Sequence, residues 1–364
     1  MRNWLRTAGV LVAGLTLAAT WGSGVAHADA TVVVRDGQSI QAAIDHAHAG
    51  DTIVVEHGTY RENLEIHTDR IRLIAQDATL LPPATAHAGS LCFDPTDPTS
   101  LNGICITAAN ADLGNNSIGS GIGGVEVRGF TIKNFPGLGI VTFGGKETRI
   151  VGNRFVDNGE YGTAAFVSTG TRDEGNTAIG GPNSEAGFYF GDSPNADAEA
   201  EHNVSIGNLF GVFERDAFGL RVEHNDISRN CVGVVSLANA PGPAGNLTVV
   251  HNRIHDNTKY CPSDPNGDIP INLSGIGVAA VGATGTHVRD NWITGNRPSG
   301  PVPFSGGLVV ITAPGQTPAV PSHNHMTDNV VRGNGPDIFW DGSGTDNRFG
   351  DNRCTTSVPS GLCS

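Results

Sequence analysis

The sequence predicts an all-β solenoid of stacked coils, on three observations. An Asn-x-apolar-x-x-Asn frame returns again and again. A Gly followed by a short apolar run comes after most of these frames. Long helical patterns are scarce, whereas glycine reaches 50 of 364 residues.

Taken in order, the chain opens with Arg2 and Arg6, the apolar run "AGVLVAGLTLAA" and the small-x-small triplet "AHA" at 26–28. That order predicts a secretion signal over 1–28 and an exported, extracellular protein. The run is short for a membrane span, and no later apolar run reaches that length. Residues 29–364 then read as one domain. "TVVV" is a first strand. "SIQAAIDHAHAG" places Ile40, Ala43, Ile44 and Ala47 on one helical face, with Ser39 as N-cap and Gly50 at the stop, so a helix is expected over 39–48. "DTIVV", "GTYRENLEI" and "RIRLIAQ" follow as strands. The segment 82–121, rich in Pro, Asp and Gly, reads as a loop insertion, as does 258–275.

From 125 onward the repeats dominate. Frames begin at 129, 153, 176, 203, 225, 252, 291, 329 and 347, mostly 22 to 27 residues apart. The runs "GIVTF", "GFYF", "GVFER", "GVVSL", "GVAAV" and "GLVVI" come between them. Each coil therefore holds at least two strands, and stacking gives parallel sheets with strands about 4.8 Å apart. The Asn is expected at a tight corner, where it tolerates left-handed backbone angles and bonds along the stack as an amide ladder. The apolar residue inside the frame (Phe155, Ile227, Ile254, Ile293, Val331 and Phe349) is expected to point into the core.

The formal charge of −14 becomes −16 without Arg2 and Arg6, which excludes a nucleic-acid footprint. Six cysteines suit an oxidising compartment. Sequence alone allows fifteen pairings. Local pairs, Cys92–Cys105, Cys231–Cys261 and Cys354–Cys363, are expected because each closes a loop or pins the chain end. No two have the CxxC spacing of a zinc site.

The Asn frames over 125–352 and the N-terminal "SIQAAIDHAHAGDTIVVEHGTYRENLEI" together resemble the right-handed parallel β-helix proteins of the pectin lyase-like superfamily, nearest to the NosD-like carbohydrate-binding and sugar-hydrolase repeats. The resemblance implies a single-stranded right-handed parallel β-helix of nine to eleven coils with an N-terminal capping helix, and an extracellular polysaccharide as partner. It does not fix an activity, since the fold carries lyases, hydrolases, esterases, epimerases and non-enzymes. The paired-Asp pattern of polygalacturonase-like hydrolases is not evident, and the Asp-Pro-His-Glu stretch of mannuronan epimerases is absent. Pectinesterases are similar only at the cap.

Two departures from the repeat mark candidate sites. "GVFERDAFG" puts Glu214 and Arg215 where other coils carry apolar or small residues, with Asp216 next and Asp192 at the same place one coil earlier. Strand alternation makes at least one charge break an apolar column. One reading is a cation-assisted, calcium-using site: Asp192 and Asp216, with Glu214, hold the ion and substrate, while Arg215, with Glu214, carries the catalysis. The other reading is a salt-bridged outer face. The second departure lies just before the Asn: His202, His224 and His251 in three successive coils, then Asp290, Asp328 and Asp346. Stacked imidazoles suit a transition metal; a solvated turn is the plainer alternative. The function expected is a secreted, monomeric protein that binds or processes extracellular polysaccharide. The alternatives are a non-catalytic surface scaffold and a NosD-like metal-maturation factor.

Overall fold

The computed structural model describes residues 28–363 apart from 88, 240–242, 265–269 and 315–317; the expected signal at 1–28 lies almost wholly outside them. The described chain winds into a parallel β-helix with three long sheets and a two-stranded one that pairs Ile122–Gly123 with Gly145–Lys146. The first sheet has twelve strands, from Thr31–Val34 to Arg348–Gly350; the second has ten, from Gly58–Arg61 to Val330–Arg332; the third has eleven, from Leu64–Ile66 to Ser357–Val358. One coil shows the rule: Arg149–Val151, Arg154–Val156 and Tyr161–Phe166 each pair in parallel with the strand one coil later, as in Arg149↔Arg172 and Phe155↔Ala178. Alternation sends Ile150, Phe155 and Thr163 inward to a narrow core. Each fully buried Val, Ile or Phe contributes about 1.5–3 kcal/mol.

The Asn frame works through burial. Asn153, Asn176, Asn203, Asn225, Asn252, Asn291, Asn329 and Asn352 stack at the corner between the first and second sheets, all nearly inaccessible. Asn153 Oδ1 accepts from Phe130 N, and each later Oδ1 accepts the backbone N–H of the preceding Asn at 2.7–3.0 Å, as in Asn225 to Asn252 and Asn329 to Asn352. A second column, Asn208, Asn230, Asn257, Asn296 and Asn334, does the same where the second sheet turns into the third. The left-handed residue, however, is not the Asn but the residue before it: His202, His224 and His251 at φ 55–57°, Asp290, Asp328 and Asp351 at φ 54–59°. The ladder needs its Asn extended, so the tight turn falls one residue earlier.

The run after each frame begins with a stacked glycine. A Cβ on Gly211 would collide with the Gly233 carbonyl and Ile227 Cγ2, and Gly233 meets Gly277 and Ile254 in the same way. The second and third sheets approach closely there, and only glycine fits.

Three details differ from expectation, and one extends the expected minimum of two strands per coil. Each coil has a third strand, of only three or four residues, just before the frame. The frame at 347 is displaced by one corner: Asn347 stacks on Asn324, and Asn352 continues the long column. Phe349 accordingly lies in the first sheet opposite Met326, half-buried, and Asp346 pairs with His323 rather than following Asp328. The segment 82–121 is not one loop, because Ile104–Thr107 is a strand of the third sheet between Leu64–Ile66 and Ile140–Phe143. Its isoleucines face the core, so the stack keeps it. The helix is Ile40–Asp45, shorter than 39–48, and ends at His46.

Ser39 accepts from Ala42 N as N-cap, and Glu62 takes the N–H groups of Ile40 and Gln41. Gln41 then bonds both backbone groups of Glu65 and so covers the free edge of the third sheet. All three expected disulfides are present: Cys92–Cys105, Cys231–Cys261 and Cys354–Cys363. The second ties the Val232–Leu237 coil to the 258–275 loop, where Cys261 also pairs with Leu273.

Candidate functional site

Sequence neighbours on the strand Phe210–Arg215 face opposite ways. Glu214 points inward between Phe190 and Ser236 and is fully buried. Ser236 Oγ donates to its Oε2, while Oε1 has no hydrogen-bond partner. Burial pushes its carboxyl up to about 8, against the lowering effect of Ser236 and the Leu220 N–H. Glu214 therefore cannot share a surface site with Arg215, and its expected catalytic role is corrected to that of a core carboxyl. Sequence reasoning did not single out a second such group, Asp173. It is buried at the middle of Arg172–Glu174, accepts from Thr163 Oγ1 at 2.6 Å, and is pushed up to about 7 by burial.

Arg215 faces out. The outer positions of the third sheet read Val141, Ala164, Tyr189, Phe213, Val235, Ala279 and Val309 in one column, and Phe143, Phe166, Gly191, Arg215, Leu237, Val281 and Ile311 in the next. Over these strands Arg215 is the one charged side chain on an apolar and aromatic face. Tyr161 stacks on Tyr189 with centroids 4.6 Å apart, and Phe213 meets Tyr189 edge-on at 5.2 Å. A Cβ on Gly191 would collide with the Tyr189 phenol, so that glycine makes room for the ring to lie along the sheet toward Arg215. Burial, then Asp192, raises the Tyr189 phenol; Arg215 pulls it down. Tyr161 is raised by burial and then Glu185, and lowered by Arg215. Both tyrosines were missed at the sequence level. A signal was there for Tyr189, which shares its outward position with Phe213 one coil later; Tyr161 pairs with Ala186 and carried none.

Asp192 and Asp216 occupy equivalent left-handed positions, φ 52° and 50°, at the corner that leaves the third sheet. Asp192 is exposed, whereas Asp216 is 8% exposed. Asp216 accepts from Asn239 N at 2.7 Å and lies 3.9 Å from Arg215 Nε; burial nevertheless raises its carboxyl, with Asp192 adding to the rise. The structure thus brings Asp192, Asp216, Arg215 and Tyr189 to one corner. Beside them an apolar pocket of about 230 Å³ opens among Phe210, Leu237, Ile271, Phe304 and Ile311. A wider polar cleft of about 600 Å³ lies elsewhere, between Arg70, Lys146 and Asp197.

The three histidines stack at the first corner, far along the coil from Arg215. His202 and His224 have centroids 5.0 Å apart, and His224 and His251 5.2 Å. Asp290, which follows them in the column, pairs with Arg289 at 2.7 Å.

The family described as right-handed beta helix region matches this chain over residues 96–241 and 138–363, more than half its length. The chain belongs to that family of right-handed parallel β-helices. A search of curated proteins gives no match. Among solved structures, the chain is similar to the A-module of the mannuronan C-5 epimerase AlgE4 of Azotobacter vinelandii, with 16% identity, 92% of this chain and 100% of that one covered, and a TM-score of 0.53. The corresponding AlgE6 module of the same organism gives 16%, 86%, 88% and 0.50. A family 28 exopolygalacturonase of Yersinia enterocolitica gives 16%, 90%, 76% and 0.49. The likeness to the two epimerase modules establishes the fold. Three disulfides suit an extracellular or periplasmic location, and no helix among the described residues is long and apolar enough to cross a membrane.

Proposed function

We propose that this chain is a secreted, monomeric protein that binds and processes an acidic polysaccharide on the outer face of its third sheet, with Arg215 as the contact to a uronate carboxylate. The observation that carries the reading is the single guanidinium of this face, partly exposed beside the buried rings of Tyr161, Tyr189 and Phe213. A guanidinium fork matches a carboxylate, and the packed rings fix the wall from which it projects. Neutralising that carboxylate also eases removal of the adjacent proton, the step that begins β-elimination and epimerisation alike. Two β-helix proteins of similar fold are mannuronan epimerases by name, which supports a polyuronate as the polymer.

In the cation-assisted form of the reading, calcium bridges substrate to Asp192 and Asp216. Asp216 already holds Asn239 N–H and lies near Arg215, so Asp192 carries the larger share. Binding and turnover of polymannuronate, polygalacturonate and a neutral glucan, with and without calcium, test the proposal. Arg215→Ala should weaken polyuronate binding at least tenfold, consistent with losing a charge-assisted contact of about 1.5–3 kcal/mol. Appearance of unsaturated uronate absorbance would identify a lyase. Binding without turnover would place the chain with the non-catalytic scaffolds. Equal binding by parent and Arg215→Ala protein would remove this face from consideration.

A further inference from the structure

On the opposite side of the coil from any role for Arg215, Glu223 gathers two imidazoles. It ends the first-sheet strand Leu220–Glu223, and His224 and His251 occupy the left-handed corner position of successive coils. Glu223 Oε1 lies 3.5 Å from His224 Nδ1 and 3.4 Å from His251 Nδ1. The three ligand atoms lie within 4.8 Å of one another. The other oxygen, Oε2, is held by the Arg221 guanidinium, two residues earlier on the same strand. The carboxylate is therefore aimed: one oxygen fixed by an arginine, the other turned to two nitrogens. The imidazole planes are 23° apart and about half exposed, so both Nδ1 atoms and the Glu223 oxygen share one solvent-facing corner.

We propose that Glu223, His224 and His251 form a binding site for one divalent transition-metal ion of the zinc or cupric class. Two imidazole nitrogens and one carboxylate oxygen are a donor set these ions favour over calcium or magnesium, and three protein ligands leave the remaining positions to water. Arg221 plays the orienting part that outer-shell groups play at metal sites. The ion would add a side-chain link between the Leu220–Leu237 coil and the next, beside the Asn ladder and the backbone bond from His224 N–H to Val250 O. Glu201, His202 and His224 lie as close together, with His202 Nδ1 3.2 Å from Glu201, but an ion can take His224 from one side only, and the choice falls on Glu223 because Arg221 fixes its second oxygen and both imidazoles already face the first.

The corner position dictates the variants. At φ 55° and 57° alanine is strained, whereas Asn accepts the left-handed angles, so His224→Asn and His251→Asn remove the ligands and keep the turn. The full chain, purified without a polyhistidine tag and stripped with chelator, is titrated with zinc by calorimetry, and the cupric form is examined by electron paramagnetic resonance. The expected result is one ion per chain and nitrogen couplings from two imidazoles. His224→Asn, His251→Asn and Glu223→Gln should each weaken zinc at least tenfold, while His202→Asn changes it less than threefold. The variants should melt as the parent does in chelator. Absence of saturable one-ion binding, or equal loss on His202→Asn and His224→Asn, would overturn the proposal. These readouts are independent of polysaccharide binding at Arg215.

Discussion

The corner before the second sheet and the corner after the third are built on opposite terms. At the first, Asn203, Asn225, Asn252 and Asn291 satisfy one another and are sealed from solvent. At the other, Asp192 and Asp216 hold similar backbone angles, yet one is exposed and the next is bonded to a loop. The ladder corner is fixed in length and repeats. The corner after the third sheet varies in length from coil to coil, short between Arg215 and Leu220 and long between Leu237 and Thr248. Chemistry can vary only where the backbone does not depend on the side chain.

The ladder predicts the largest effect. Asn252 Oδ1 accepts from Asn225 N, and its Nδ2 donates to Val222 O, Val250 O and Asn291 Oδ1. Asn252→Ala leaves several buried groups without partners, each worth about 1–3 kcal/mol, so a loss of about 3–5 kcal/mol is expected in urea unfolding. A loss under about 1 kcal/mol would show that the corner does not depend on its amides. Next in size, opening Cys231–Cys261 by the double serine variant should cost about 3–4 kcal/mol, since the bridge spans 30 residues. A smaller loss would mean that the ladder alone holds the 258–275 loop.

How much of this could be read beforehand follows the same division. The Asn columns, the glycine-led strands and the disulfides were legible, because each repeats a residue type that only one local geometry accepts. The first sheet was legible only at its start, in "TVVV", "DTIVV" and "RIRLIAQ". From residue 125 its strands offer one or two inward residues apiece, and these range from Ile150 through Asp173 and Ala200 to Met326, too short and varied a signal for a period to form. The strand Ile104–Thr107 was hidden by the Pro- and Asp-rich loops on either side. At the candidate site, strand alternation implied that Glu214 and Arg215 face apart but not which one faces in. The neighbours Phe190 and Ser236 settle it, and they belong to other coils.

Glu214 gives the third prediction. Its folded value, about 8, lies above its ordinary 4.5. The folded state thus binds the proton more tightly than the unfolded chain, so the stabilisation is complete below about pH 4.5 and fades as pH rises toward 8. Asp173, raised to about 7, acts with the same sign. Glu214→Gln keeps the shape and an acceptor for Ser236 without a charge to desolvate. The variant should be more stable than the parent at pH 9 by about 1–3 kcal/mol, with little difference at pH 5. Parallel pH profiles for the two proteins would show that water or a cation reaches the carboxyl.

The smallest stability effect belongs to the variable corner, and it separates structure from function there. Asp192 sits at φ 52° with an exposed side chain. If the corner needs only the left-handed angle, glycine serves as well as aspartate, because it adopts φ above zero without a Cβ clash. Asp192→Gly should then shift stability by less than about 0.5 kcal/mol, as surface substitutions do. The same change removes a carboxylate about one strand spacing from Asp216 and close to Arg215. Under the polyuronate reading, loss of that charge abolishes any calcium dependence of binding and leaves the Arg215 contribution in place. His224→Gly is the matched change at the ladder corner: it keeps the left-handed angle and should also leave the fold intact, since the ladder depends on Asn225 and not on the residue before it. Unfolding midpoints of the two variants measured side by side, with polyuronate binding in calcium and in chelator, would decide the matter. A large destabilisation at Asp192 alone would mean that the corner after the third sheet is held by its acids, and the division between the two corners would fail.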